Sequence, residues 1–207
     1  MSIEKSYNTW AEQYDTNENK TRDLDRKATI ETLSKYEFKN VLELGCGTGK
    51  NTEWLITKAK FIIGLDFSQE MLNKARNKIT SDKIRFQQAD LKKPWNIENK
   101  FADLITCSLT LEHIKDLDFI FNQAYEKIKS GGKFFISELH PARQYLGSKA
   151  KYETENGIEE LEVYVHHLSE YLQAAERNSF KLVKINEWFD NQPENEVPRL
   201  ISFVFLK

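Results

Sequence analysis

The densest chemistry in this chain lies in one run, Val41-Leu42-Glu43-Leu44-Gly45-Cys46-Gly47-Thr48-Gly49-Lys50, where an apolar strand pattern meets alternating glycines. Glycines at such a junction let a ligand approach the backbone closely, and a helix that follows at once points its free N–H groups at that ligand. The spacing separates the ligands such loops take. A dinucleotide loop needs GxGxxG, but Gly45, Gly47 and Gly49 form GxGxG and Lys50 stands where the third glycine belongs. A phosphate-binding P-loop needs four residues between its first glycine and Gly-Lys, then Ser or Thr. Here three intervene and Asn51 follows.

What remains is ExGxGxG, with Glu43 two residues before the first glycine, and other residues fall in order behind it. Asp66 ends the apolar run FIIGLD, a helical stretch SQEMLNKA comes next, and Asp90 follows IRFQQA. The segment DLITCSLTLEHI and the pair Gly131-Gly132 before KFFISEL complete the series. Over residues 40–137 this order resembles the class I S-adenosylmethionine-dependent methyltransferases, and DLITCSLTLEHI resembles their small-molecule "type 11" branch, which includes quinone-biosynthesis enzymes.

The resemblance implies S-adenosyl-L-methionine as cofactor and S-adenosyl-L-homocysteine as product. It also distributes roles. Glu43, Gly45, Cys46 and Gly47 would bind the cofactor, with Gly45 and Gly47 leaving room for its methionine portion; Asp66 would meet the ribose, and Asp90 would meet adenine in a slot flanked by Phe67, Ala89 and Leu91. Ser108 would stand at the end of the fourth strand, and Tyr14, with Tyr7 and Trp10, would cover the sulfonium. Arg22 and Arg143 are each able to hold a carboxylate, and Arg22 is placed with the cofactor. The physical reading agrees, because a carboxylate at a strand tip accepts both ribose hydroxyls through charge-assisted bonds. Adenine needs an apolar slot with one polar handle.

Methyl transfer from a sulfonium is an in-line displacement, so the protein mainly aligns the nucleophile and excludes water, which supplies about 7 to 11 kcal/mol. A hydroxyl or carbon acid also needs a base. Ligands of open parallel sheets sit beyond the carboxyl ends of the strands, which sets residues 108–113 and 138–143 around the acceptor; His140, directly after the fifth strand, is the first candidate and His113 the second. His166 and His167 lack spaced partners and read as a hairpin end or helix start rather than a metal pair. Cys46 and Cys107 belong to no CxxC pair, and no metal is expected.

The elements that must carry these residues alternate. Short β-rich runs VLEL, FIIGLD, IRFQQAD, FADLITCS and KFFISEL are interleaved with helical stretches at 54–59, 71–79 and 117–128, the mark of βαβ units on a parallel sheet. The expected fold is therefore α/β, a doubly wound, mostly parallel seven-stranded sheet of the Rossmann-like methyltransferase kind. Residues 1–36 read as a helical lid with Thr21 capping its second helix, and 37–139 as the cofactor-binding core. Residues 140–167 read as an inserted substrate-side hairpin turning at Asn156-Gly157, and 168–207 as a helix, closed by a left-handed Asn178, and two strands.

At 207 residues with 40% hydrophobic composition the chain suits one domain. Its 30 basic and 32 acidic residues are dispersed and leave a net charge of -2, so nothing forms a nucleic-acid footprint. The [DN]PP[YF] signature of N-methylation on bases is absent, with CSLT in its place. No run reaches the apolar length of a membrane span and none resembles a leader, so a soluble, cytoplasmic protein is expected. The function expected is methyl transfer to the O, N or C atom of a small-molecule acceptor. A protein or RNA methyltransferase, and a non-catalytic cofactor-binding subunit, are the alternatives.

Overall fold

The computed structural model describes residues 19–147, 151–154, 157–160, 163–190 and 197–207, with side chains outside 151–162. The expected first helix, with Tyr7, Trp10 and Tyr14, lies outside the described residues. In chain order the elements are α1 (Lys20–Leu33), β1 (Asn40–Leu44), α2 (Thr52–Lys58), β2 (Phe61–Asp66), α3 (Gln69–Lys78), β3 (Ile84–Gln88) and β4 (Ala102–Ser108). A single 3₁₀ turn (Leu111–His113) precedes α4 (Leu117–Lys127), β5 (Ile128–Leu139), α5 (Pro141–Tyr145), β6 (Lys151–Thr154), β7 (Gly157–Glu160), α6 (Leu168–Arg177), β8 (Lys181–Trp188) and β9 (Leu200–Leu206).

Seven strands form one sheet in the order β3-β2-β1-β4-β5-β9-β8. β3, β2, β1, β4 and β5 run parallel, while β9 is antiparallel to both of its neighbours. This is the expected doubly wound architecture. The strand order reverses direction between β1 and β4, and such a switch point leaves a crevice at the carboxyl ends of the strands. Both of those ends, Leu44 and Ser108, carry residues picked out in the sequence or directly adjoin them.

Alternation along the strands explains why helices cover both faces. Leu42, Leu44, Ile105, Cys107, Phe134, Ile136, Phe203 and Phe205 pack into one core, with Phe121 and Ala124 of α4 and Ala174 of α6. Val41, Leu104, Phe135 and Val204 turn the other way, onto Leu33 of α1 and Leu55 of α2. Strands buried on both sides read as nearly continuous apolar runs, as these do.

Several ends differ from expectation for identifiable reasons. Asn19, not Thr21, caps α1, because the Asn19 side-chain oxygen accepts the Arg22 N–H at 3.0 Å, while Thr21 Oγ1 accepts from Arg199 at 3.0 Å. Asn178 stays right-handed since its amide is bonded to the Ala174 carbonyl at 2.9 Å, and Ser179 takes the left-handed position with φ 62. β6 and β7 pair Thr154 with Gly157, one residue earlier than a turn centred on Asn156-Gly157. Among the described residues no helix is long and apolar enough to cross a membrane.

Candidate active site

A cleft opens beyond the carboxyl ends of β1 and β4. Six of the residues singled out in the sequence line it: Arg22 from α1, Glu43 from β1, Gly45, Cys46 and Gly47 from the following loop, and Ser108 from β4. Asp25 and Leu109 join them. The sequence reading had no place for Asp25 and gave Leu109, within the segment 108–113, no role of its own. Leu109 holds φ 49, a left-handed conformation that an apolar side chain rarely adopts and that tends to persist at functional sites.

The glycine loop is held in shape from three sides. Asp66, at the tip of β2, accepts the Gly47 N–H at 2.8 Å on one carboxylate oxygen and the Ser68 N–H at 2.9 Å on the other. Glu43 accepts the Thr52 hydroxyl at 2.6 Å and so ties the strand to the first turn of α2. α1 grips the far side: Arg26 binds the Lys50 carbonyl at 2.7 Å and Glu53 at 2.8 Å, Asn51 donates to Asp25 at 2.8 Å, and Lys50 pairs with Asp23.

These acids sit in low dielectric, which disfavours their charged form. Burial pushes the Glu43 carboxyl up to about 8, with the charges of Asp25 and Asp66 adding to the effect against the Thr52 bond. Burial likewise lifts Asp66 to about 6, although the N–H groups of Ser68, Gly47 and Phe67 pull it down. Asp25 is also raised by burial, partly offset by the hydroxyl of Ser137, Asn51 and Ser108. Cys46 is raised far out of the thiolate range, and a buried thiol of that kind is inert.

Of the other cofactor candidates, Tyr14 lies outside the described residues, and Asp66, Phe67, Ala89, Asp90 and Leu91 are not among the residues that line this cleft. Phe67 and Ala89 adjoin Asp66, whose carbonyl accepts the Ala89 N–H at 2.8 Å, so the ends of β2 and β3 do meet there. Asp90 is turned onto its own chain, accepting the Lys92 N–H at 3.0 Å. Leu91 belongs to the main core. Its apolar side chain gains more from burial beside Trp95 than from lining a slot.

His140 is placed differently from the base expected of it. Its Nδ1 accepts the Ala142 N–H at 3.1 Å as the N-cap of α5, and Nε2 lies 3.1 Å from Glu187 Oε1. An Nδ1 lone pair used for capping fixes the proton on Nε2, which then donates to the carboxylate, and neither nitrogen is left to take an acceptor proton. Net desolvation lowers its pKa despite Glu187, so it stays neutral at physiological pH. We predict that His140→Gln costs roughly 0.5 to 2 kcal/mol of stability, the range for a lost cap, and leaves turnover nearly intact. A hundredfold loss of turnover at unchanged melting temperature would return the base to His140.

His113 ends the 3₁₀ turn after β4, with Nε2 3.9 Å from Glu112 Oε1. Sequence reasoning set residues 108–113 around the acceptor but gave Glu112 no role of its own; it is nearly enclosed, and burial pushes its carboxyl up to about 7. Gln144 of α5 reaches its Oε2 at 3.4 Å. The turn itself hangs on Glu138, which the sequence reading set beside the acceptor without giving it a role. Its Oε1 accepts the N–H groups of Thr110 at 3.0 Å and Leu111 at 2.9 Å. Arg143 is bound to Asp190 at 3.2 Å and to the Val197 carbonyl at 3.0 Å, away from the cleft. His167 caps α6 and His166 is bonded to the carbonyls of Leu111 and Ile114, so both are structural here.

Residues 42–136 match the family described as "Methyltransferase domain". A "Ubiquinone biosynthesis O-methyltransferase" of Coxiella burnetii is 30% identical over 164 residues, 75% of this chain and 69% of that one. The chain belongs to this methyltransferase family. A second Coxiella burnetii sequence of that name is 32% identical over 113 residues, which is about half of its length (48%). In three dimensions the "S-adenosylmethionine dependent methyltransferase from Mesorhizobium loti" superposes with a TM-score of 0.74 at 21% identity, over 89% of this chain and 98% of that one.

The enzyme is thus a methyltransferase of the class I kind with S-adenosylmethionine as its cofactor. The cleft fits that group on its own evidence. A Cβ placed on Gly47 would meet nothing within 4 Å, so open space lies against the loop backbone where a ligand can lie. The cleft's charged lining, Asp25 and Glu43 beside Arg22 and Lys50, suits a ligand that bears charges of both signs.

Proposed function

We propose that the enzyme methylates a hydroxyl of a small molecule, with S-adenosylmethionine along the glycine loop and the acceptor beside the turn after β4. In this reading Asp66 uses its remaining lone pairs for the ribose hydroxyls, and Gly45 and Gly47 give room to the methionine portion. When bound, the cofactor supplies an electrophilic methyl group on a sulfonium. Glu112, with His113 beside it, takes the acceptor proton as the oxygen attacks. Thr110, pinned through Glu138, and Leu109, whose N–H is bonded to the Ser137 carbonyl, keep that edge of the cleft rigid.

The observation that carries the reading is the Glu112 carboxyl, enclosed next to His113 and titrating near 7. A base poised near the working pH is what a hydroxyl acceptor needs, and it typically contributes a hundredfold to ten-thousandfold in rate. The name of the Coxiella relative, an O-methyltransferase, points to the same acceptor atom. The dispersed charge speaks against a nucleic-acid acceptor.

Release of S-adenosylhomocysteine across a panel of phenols, catechols, amines and carboxylic acids tests this. Turnover is expected with a hydroxyl compound and should rise with pH through about 7, as Glu112 loses its proton. Glu112→Gln should flatten that limb and lower kcat roughly a hundredfold or more. Turnover confined to amines, or a full-rate Glu112→Gln enzyme, would end the proposal.

A further inference from the structure

We propose that His166 is a positioning residue for the base: it holds both ends of the turn after β4 through one ring nitrogen and so fixes the direction from which Glu112 meets the acceptor. This rests on Glu112 acting as described above, and His166 works only through the turn.

Just before α6 begins, the chain comes back against the turn that carries Glu112. The Tyr164 N–H donates to the Glu112 carbonyl at 2.7 Å. His166 Nε2 lies 2.8 Å from the Ile114 carbonyl oxygen and 3.2 Å from that of Leu111. A carbonyl only accepts, so the ring proton must be on Nε2, where the two oxygens share it. Leu111 opens the turn and Ile114 closes it, and one donor therefore clasps both sides of Glu112 and His113. From beneath, Glu138 receives the N–H groups of Thr110 and Leu111. His166 is buried at 5% exposure, with its ring edge-on to Tyr171 at 5.8 Å, and Tyr171 is stacked on Phe203 of β9 at 5.1 Å. The clasp is anchored in the core of the sheet.

A turn of this kind needs such a clasp. Its own bonds are two, His113 N–H to the Thr110 carbonyl at 3.1 Å and Ile114 N–H to the Leu111 carbonyl at 2.9 Å, and short 3₁₀ pieces have poor hydrogen-bond geometry. Its shape is therefore set by partners outside it. Without the imidazole the Ile114 carbonyl loses its donor, and the carboxyl of Glu112 is free to drift from His113 and Gln144. A misplacement of about 1 Å at a reacting group costs on the order of a hundredfold in rate. Glu138, Cys107 and Tyr171 approach the turn from β5, β4 and α6, and burial raises all three, so they keep their protons near pH 7. The charge that appears there as pH passes 7 is that of Glu112.

Two variants separate positioning from bulk. His166→Leu fills the space without a donor, and His166→Gln keeps an N–H at about the reach of Nε2. With the hydroxyl compound that turns over fastest in the panel above, His166→Leu should lower kcat about tenfold to a hundredfold. The limb near pH 7 should move to lower pH as the loosened carboxyl meets water, while S-adenosylhomocysteine affinity by calorimetry changes less than about twofold. His166→Gln should recover most of kcat and the position of the limb. A leucine variant with wild-type kcat and limb would overturn the proposal. So would a loss of kcat matched by an equal loss of S-adenosylhomocysteine affinity that glutamine does not recover. Should the leucine variant fail to fold, nitrogen NMR of the histidine rings in the wild-type protein decides. The His166 signals should show the proton on Nε2 and shift with a midpoint near pH 7, and that shift should vanish in Glu112→Gln. A proton on Nδ1, or a ring indifferent to Glu112, would overturn the proposal. A Glu112→Gln enzyme at full rate would end it too, with the base itself at fault.

Discussion

Gly45→Ala should abolish cofactor binding and lower the stability of the fold by several kcal/mol. A Cβ at this position would stand 2.1 Å from Thr110 Oγ1 and 2.8 Å from its Cγ2, so no rotation of the threonine relieves both contacts. Nor is the Thr110 backbone free to retreat, because its N–H is bonded to Glu138 at 3.0 Å and its hydroxyl to the Ser108 carbonyl at 2.9 Å. Gly45 also holds φ 66, which adds about 1 to 2 kcal/mol for any L side chain. The loop and the turn after β4 would have to separate, and the cleft lies between them. Gly47→Ala is the comparison: φ is 53 there but the space is open, so its melting temperature should fall only by the backbone strain. Thermal unfolding and calorimetry on the two variants decide the matter. A Gly45→Ala protein that melts like the Gly47→Ala protein would show that the contact with Thr110 yields easily.

The approach of Gly45 to Thr110 also marks the line between what the sequence makes legible and what it does not. Spacing along the chain places Glu43, Gly45, Gly47 and Asp66 around one loop, because β1, its turn and the tip of β2 are consecutive parts of a βαβ unit. The sheet order follows from the same alternation of apolar runs. Residues facing that loop from elsewhere leave no local pattern. Thr110 reaches it from β4, and Asp25 comes from a helix that precedes the whole sheet. Glu138 looks like an ordinary polar residue near the end of a strand. His140 shows the opposite error, since its place after β5 suits a base, but the neighbouring N–H of Ala142 and the carboxylate of Glu187 occupy both ring nitrogens. Glu187 is distant in sequence, so no local pattern announces its contact with the ring.

Glu138 carries the second large effect, a loss of stability as pH rises that Glu138→Gln should remove. The carboxyl is buried at 1% exposure, and burial raises it to about 8, helped by the charges of Glu112 and Asp25 and opposed by the N–H groups of Leu111 and Thr110. The sign follows from proton counts. Between about pH 4.5 and 8 the unfolded chain has released this proton and the folded chain retains it, so stability falls as pH rises through that window. The contribution is complete below the unfolded value and lost above the folded one, at roughly a tenfold change in the folding equilibrium for each pH unit. Over the window that amounts to about 3 to 5 kcal/mol, an order of magnitude for so enclosed a group. Glutamine keeps the oxygen that receives Thr110 and Leu111 and has no proton to lose. His140, whose pKa is lowered, works in the opposite direction and gains stability as pH rises through 6.5, so the measurement is the difference between wild type and variant. Melting curves of the two proteins from pH 5 to 8.5 at constant ionic strength should converge or cross, with the variant favoured at the alkaline end. Curves that stay parallel would mean that Glu138 is ionised throughout, with an unseen donor satisfying its second oxygen.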